Sequence, residues 1–104
     1  MIAAAPLADT VKRVDGVTIV ASESREHLWR AQTPQVFRAA ALREAHDADP
    51  QTLAAATDDA MLVERGGGTV LVEPAAAENL KVTTATDLRL AELLLAERRA
   101  DFDR

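Results

Sequence analysis

The chain has no cysteine, and aromatics make up only 3% of its 104 residues. The first absence excludes disulfide staples and thiolate metal sites, while leaving the redox compartment open. The second, together with abundant alanine, argues against an all-β sandwich and for helices packed closely on a sheet. No apolar run approaches the ~20 residues needed to cross a bilayer, and the opening MIAAAPLADT has no basic segment ahead of an apolar one. Neither a membrane span nor a secretory signal is read there, so the expected compartment is the cytoplasm. Positive charge is also in deficit. The formal net charge of -5 disfavours nucleic-acid binding, which needs a basic stripe to displace counterions from phosphates. Lysine is nearly missing: arginine outnumbers it ten to two, leaving only Lys12 and Lys81. A chain of this length supports one modest core, as one small domain or part of a larger one.

What is present is concentrated in Arg25 to Phe37, REHLWRAQTPQVF, which holds the single tryptophan, two arginines and a Thr-Pro-Gln turn. A large aromatic, cations and a rigid proline together suggest a site held in fixed geometry. The plainer alternative is a buried strand with Trp29 as core filler.

Around this stretch the sequence reads as alternating strands and helices. Residues 9–21 form two β-branched runs joined by Asp15-Gly16, a strong signal for a two-residue type I′ hairpin. That turn sets Val14 against Val17, Lys12 against Ile19 and Thr10 near Ala21. The hairpin carries apolar residues on both strands, and an isolated hairpin is marginal in water, so it needs its own chain or a second subunit to lie on. An extended segment is expected from Leu28 to Phe37, then a helix over Arg38 to His46 that Pro50 stops. A further helix follows Thr57-Asp58-Asp59, capped by Thr57 or Asp58 and ended by Gly66 in a left-handed conformation. TVLVE (69–73) and NLKVT (79–83) read as short strands. Thr84 and Asp87 have capping-box spacing ahead of a last helix, in which Leu88, Ala91, Leu94 and Leu95, flanked by Leu90, face one side. Leu93 does not fit that face, and the tail from residue 98 has lost the pattern.

Several features that invite a chemical reading do not sustain one. Gly66-Gly67-Gly68 follows a helix and precedes a strand, the reverse of a phosphate loop, and reads as a turn. Asp58 and Asp59 read as partners of a helix dipole rather than as metal ligands or an acid–base pair. His27 and His46 share no ligand spacing and read as solvated or core histidines. Ser22 and Ser24 lack a nucleophile turn, so hydrolase chemistry is not supported. Lys81 remains, in NLKVT between Asn79 and Thr83. A lysine in a buried strand is costly unless it meets an anion, whereas on an edge strand it discourages aggregation. Periodicity alone does not choose between these.

Taken in order, DTVKR (9–13), SREHLWRAQTPQVF (24–37), TDDAMLVERGG (57–67) and NLKVTTATDLRLAELLL (79–95) resemble the C-terminal part of the 2-C-methyl-D-erythritol 4-phosphate cytidylyltransferase family, the third enzyme of the non-mevalonate isoprenoid pathway. The resemblance implies the C-terminal portion of a Rossmann-like α/β nucleotidyltransferase fold with a β-hairpin dimerisation arm. It divides residues 1–104 into the arm at 9–21, an α/β portion at 22–97 and a frayed tail or linker at 98–104.

The same resemblance implies a homodimer in which Thr10 and Arg25 reach the neighbouring subunit's methylerythritol phosphate and Lys81 positions the same phosphate. The reaction implied is attack of that phosphate on CTP with release of pyrophosphate. Magnesium and cytidine are expected to be held by an N-terminal half that these residues do not include, so the chain alone is expected not to turn over. A ribitol-5-phosphate cytidylyltransferase would share the chemistry, and a non-catalytic dimerisation fragment would keep only the arm. The tail ADFDR could also lead into a fused cyclodiphosphate synthase.

Overall fold

The computed structural model describes residues Met1–Arg104 as a mixed α/β chain. Its central strand is β1, Ile2–Pro6, and the order in the sheet is β4-β1-β5. β4, Trp29–Gln35, runs antiparallel to β1, pairing Ala4 with Ala31, Ala5 with Arg30 and Pro6 with Trp29. β5, Val72–Pro74, lies parallel on the other side. The expected strand at 69–73 is therefore shorter and shifted toward Pro74, because the residues in register with β1 are Val72–Pro74, paired with Ile2–Ala4. The sequence reading placed no strand at Ile2–Pro6: alanine is a poor strand former, and IAAAP is a strand because both its edges are paired.

The hairpin forms as β2, Val11–Asp15, and β3, Thr18–Glu23, a two-stranded sheet of its own. Its register differs from expectation. Asp15 pairs with Thr18, so the two-residue loop is Gly16-Val17, and Lys12 pairs with Ser22 rather than Ile19. Val14 now faces Ile19 across a register shift. Type I′ needs a positive φ at both central residues, which a β-branched valine resists; only Gly16 has one, at 60°, as in turns with glycine first. Thr10 lies just before the first arm strand and is exposed. Lys12 Nζ donates to Ser22 Oγ at 2.6 Å, and Arg13 Nε meets Glu23 Oε1 at 2.7 Å.

Three short helices follow β4. α1, Ala39–Ala45, forms as expected. α1 already ends at Ala45, ahead of Pro50, and Pro50 instead opens α2, Pro50–Ala55, from its first position, with Asp49 accepting from the Thr52 N–H at 2.8 Å. Proline suits that place because the amide it lacks would be unpaired there. α3, Asp59–Arg65, is capped by Asp58, whose Oδ1 accepts from Met61 N–H at 2.8 Å. The left-handed residue after it is Gly67, φ 88°, rather than Gly66, whose φ is -77°.

Residues 79–83 are not a strand: they join no sheet and run as a loop into α4, Ala85–Phe102. The capping box at the start of α4 is complete, with Thr84 Oγ1 accepting from Asp87 N–H and Asp87 Oδ2 from Thr84 N–H. Instead of fraying after residue 97, α4 continues through Phe102, carried by the helix propensity of Ala, Glu and Arg rather than by an apolar stripe.

Burial is uneven. The buried apolar residues are Ile2, Ala4 and Ala5 of β1 and Ala60, Leu62 and Val63 of α3. No residue of the arm or of α4 is buried. The radius of gyration is 17.0 Å, whereas a compact domain of this length has about 13 Å. Trp29 is 41% exposed, so it is not core filler.

Candidate functional site

Lys81 lines an open cleft of about 690 Å³ whose walls include Thr33 and Pro34 of β4, Thr57 and Asp58 ahead of α3, and His46 after α1. The cleft thus gathers polar groups from residue 33 to residue 81. β4 ends there at Thr33 to Gln35, and the Thr33-Pro34 peptide is cis. Gln35 Nε2 donates to Asp58 Oδ2 at 3.1 Å, which ties β4 to the start of α3.

The carboxylates of this cleft have partners of their own. Asp58 accepts from Gln35 and from the Met61 amide, the dipole-partner role expected of it. Asp59 Oδ1 lies 3.2 Å from His46 Nε2, while His46 Nδ1 is 2.9 Å from the Leu42 carbonyl. Lys81 forms no ion pair. The cleft therefore offers one unengaged ammonium, two threonine hydroxyls and carboxylate acceptors, the mixture that suits an anion carrying hydroxyl groups.

The segment holding Lys81 is fixed on both sides. Upstream, Asn79 Nδ2 donates to the Thr33 carbonyl at 2.8 Å. Downstream, the Thr83 and Thr84 amides donate to Asp87 Oδ2 at 3.1 and 3.0 Å. These bonds, from Thr84 first and then Thr83, hold the Asp87 carboxyl below its ordinary value of 3.8, with Arg30 adding a smaller coulombic contribution. Asp49 is lowered in the same way by the Thr52 amide and hydroxyl at the start of α2.

The other two expected site residues lie elsewhere. Arg25 stands in the turn at the base of the arm, where its Nη1 donates to the Ala8 carbonyl and so clasps the outgoing and returning legs. Thr10 is exposed at the same end of the arm. Neither lines the cleft of Lys81, so one copy of the chain does not bring the three together. Sequence reasoning did not single out Thr33, Thr57 or His46 as cleft residues; the one signal for Thr33 was the rigid proline after it. No three His, Asp or Glu side chains converge anywhere in the chain.

This mixed α/β arrangement is the one found in solved cytidylyltransferases of similar sequence. A 2-C-methyl-D-erythritol 4-phosphate cytidylyltransferase from Thermus thermophilus superposes with a TM-score of 0.74 at 36% identity, over 91% of this chain and 47% of that one. A 4-diphosphocytidyl-2C-methyl-D-erythritol synthase superposes with a TM-score of 0.72 at 42% identity, over 90% of this chain and 42% of that one.

The sequence profile of the 2-C-methyl-D-erythritol 4-phosphate cytidylyltransferase family matches residues 1–97, and the chain belongs to that family. Relatives of that name from Rubrobacter xylanophilus and Nitrosomonas eutropha are 46% and 49% identical over 97 and 96 residues. Those alignments cover 93% and 91% of this chain but 42% and 40% of the relatives, so the chain spans less than half their length. No helix is long and apolar enough to cross a membrane.

Proposed function

We propose that the protein carrying these residues transfers CMP from CTP to 2-C-methyl-D-erythritol 4-phosphate, releasing pyrophosphate, as a step in non-mevalonate isoprenoid precursor synthesis. The observation that carries this is Lys81, an ion-pair-free cation in a hydroxyl-lined cleft of a chain that belongs to this family. Its ammonium neutralises the substrate phosphate, and Thr33 and Thr57 bond the polyol. The substrate is then a phosphomonoester anion in which an oxygen attacks the α-phosphorus of CTP as the bond to pyrophosphate breaks. It needs no general base. The work is alignment and charge neutralisation, because two anions must approach each other.

Arg25 and Thr10 act, in this reading, from the arm of a second copy, in a homodimer built through residues 9–21. Arginine's planar fork bonds a phosphate at two oxygens, so Arg25→Lys is not a mild change. The chain is read as one partial, Rossmann-like nucleotidyltransferase domain. Cytidine and magnesium are held by parts of the protein outside these residues, and the setting is cytoplasmic. Two measurements test this. Methylerythritol phosphate titrated into the chain shifts the Lys81 signals, and Lys81→Met weakens binding about tenfold or more, the effect of removing one charged hydrogen bond. Supplied with CTP, magnesium and methylerythritol phosphate, the chain alone releases no pyrophosphate beyond background; sustained release would sink that part of the reading.

A further inference from the structure

Gln32 is the one buried polar side chain, 4% exposed, and it sits in β4 immediately before Thr33 of the cleft. Its Nε2 donates to the Ala76 carbonyl at 3.0 Å, and its Oε1 accepts from Asn79 Nδ2 at 3.2 Å. The same Asn79 nitrogen donates its second hydrogen to the Thr33 carbonyl, and the Asn79 backbone N–H returns to Ala76 O at 3.0 Å. The four contacts close a ring between β4 and the loop that leads to Lys81.

The ring matters because residues 79–83 have no strand ladder. Every hydrogen bond from residues 76–83 to the sheet is made by one of these two side-chain amides. An amide is required at each place. Gln32 must donate on one side and accept on the other, and Asn79 must present two donors to two oxygens. A carboxylate of the same shape would set oxygen against oxygen in a buried place.

We propose that the Gln32–Asn79 amide pair is the positioning device of the phosphate site, holding Lys81 and Thr33 in the cleft at a fixed separation. Gln32 and Asn79 thereby set substrate affinity without touching substrate. This rests on the reading of Lys81 as the phosphate-holding cation. It also accounts for asparagine two residues before the lysine: the Asn79 side chain fastens the loop to β4, while at the other end the Thr83 backbone N–H ties the loop to the cap of α4.

The test uses the isotope-labelled chain with Gln32→Glu and, as a second variant at a loop position, Asn79→Asp. In both, amide protection across 76–83 falls about tenfold, as expected for a lost buried hydrogen bond, while the Ala4–Ala31 pairing of β1 and β4 keeps its protection. The dissociation constant for methylerythritol phosphate rises about tenfold, and the ligand-induced shift of the Lys81 side-chain signal shrinks although Lys81 is untouched. A loop as protected as in the parent chain, or a loosened loop that binds as well as before, overturns the proposal. If the parent chain itself binds no methylerythritol phosphate, the substrate reading fails, and the tie is judged on loop protection alone.

Discussion

The strands around β1 and the arm formed by β2 and β3 are built from similar lengths of chain but are held in different ways. β1 is paired on both edges, and its Ile2, Ala4 and Ala5 are buried, as are Ala60, Leu62 and Val63 of α3. The arm pairs only with itself, and its loop residue Val17 is 99% exposed. α4 resembles the arm in this respect, with Leu88, Leu90, Leu93 and Leu95 all exposed. In the arm and α4 the shape comes from local devices: a glycine turn, the Arg13–Glu23 pair and a capping box. Exposed pairs of that kind contribute only about 0.2–1 kcal/mol each. Local signals thus fix conformation in the outer parts, whereas burial fixes placement in the inner part. Arg25 and Lys81 fall on opposite sides of this divide, one at the root of the arm and the other fastened to the sheet.

The largest effect is expected where burial is deepest. Leu62→Ala should cost about 2–4 kcal/mol by removing core contacts and leaving a cavity, read as a lowered denaturation midpoint. Thr84→Ala should cost about 1 kcal/mol through loss of the α4 cap, seen as frayed amide signals at the start of that helix alone. Leu93→Ala, on the outer side, should change the stability of the chain by less than about 0.5 kcal/mol; a loss as large as that of Leu62→Ala would abolish the contrast. Ile19→Asp in the arm should likewise leave the melting of the inner strands unaltered while removing the self-association proposed for the arm, which light scattering tests.

Acid provides a graded version of the same contrast. Asp87 and Asp49 have folded-state values below 3.8, so their contribution is fully present above 3.8 and is lost as pH falls through the lowered folded values. The starts of α4 and α2 should therefore loosen below pH 3.8, and the Lys81 loop with them through Thr83, while Asp87→Asn should show the loosened α4 start at neutral pH. Amide exchange followed across the titration checks the order of events.

Much of the inner and outer conformation was legible in the sequence wherever a local signal existed. The glycine hairpin, the Asp58 cap and the Thr84–Asp87 box each depend on residues within a few positions of one another. β1 was not legible, because an alanine-rich segment becomes a strand only through partners some thirty and seventy residues away. NLKVT misled for the opposite reason: valine and threonine suggest a strand, but Asn79 and Thr83 spend their bonds on Gln32, Thr33 and Asp87 instead. Pro50 carries two local signals at once, since a proline bars helix continuation and, placed after Asp49, suits a helix start. At the site, Lys81 was visible as one of two lysines. Its surroundings were not, since Thr33, His46 and Thr57 meet it only after folding.

The central claim is that one copy's Lys81 and another copy's Arg25 hold the same phosphate, and mixing two variants tests it most directly. Lys81→Met and Arg25→Ala, each weak for methylerythritol phosphate alone, should on equal mixing restore parental affinity at about a quarter of the sites, because half of randomly formed two-fold dimers then carry one intact site. A mixture that binds no better than the average of the two variants would contradict the account.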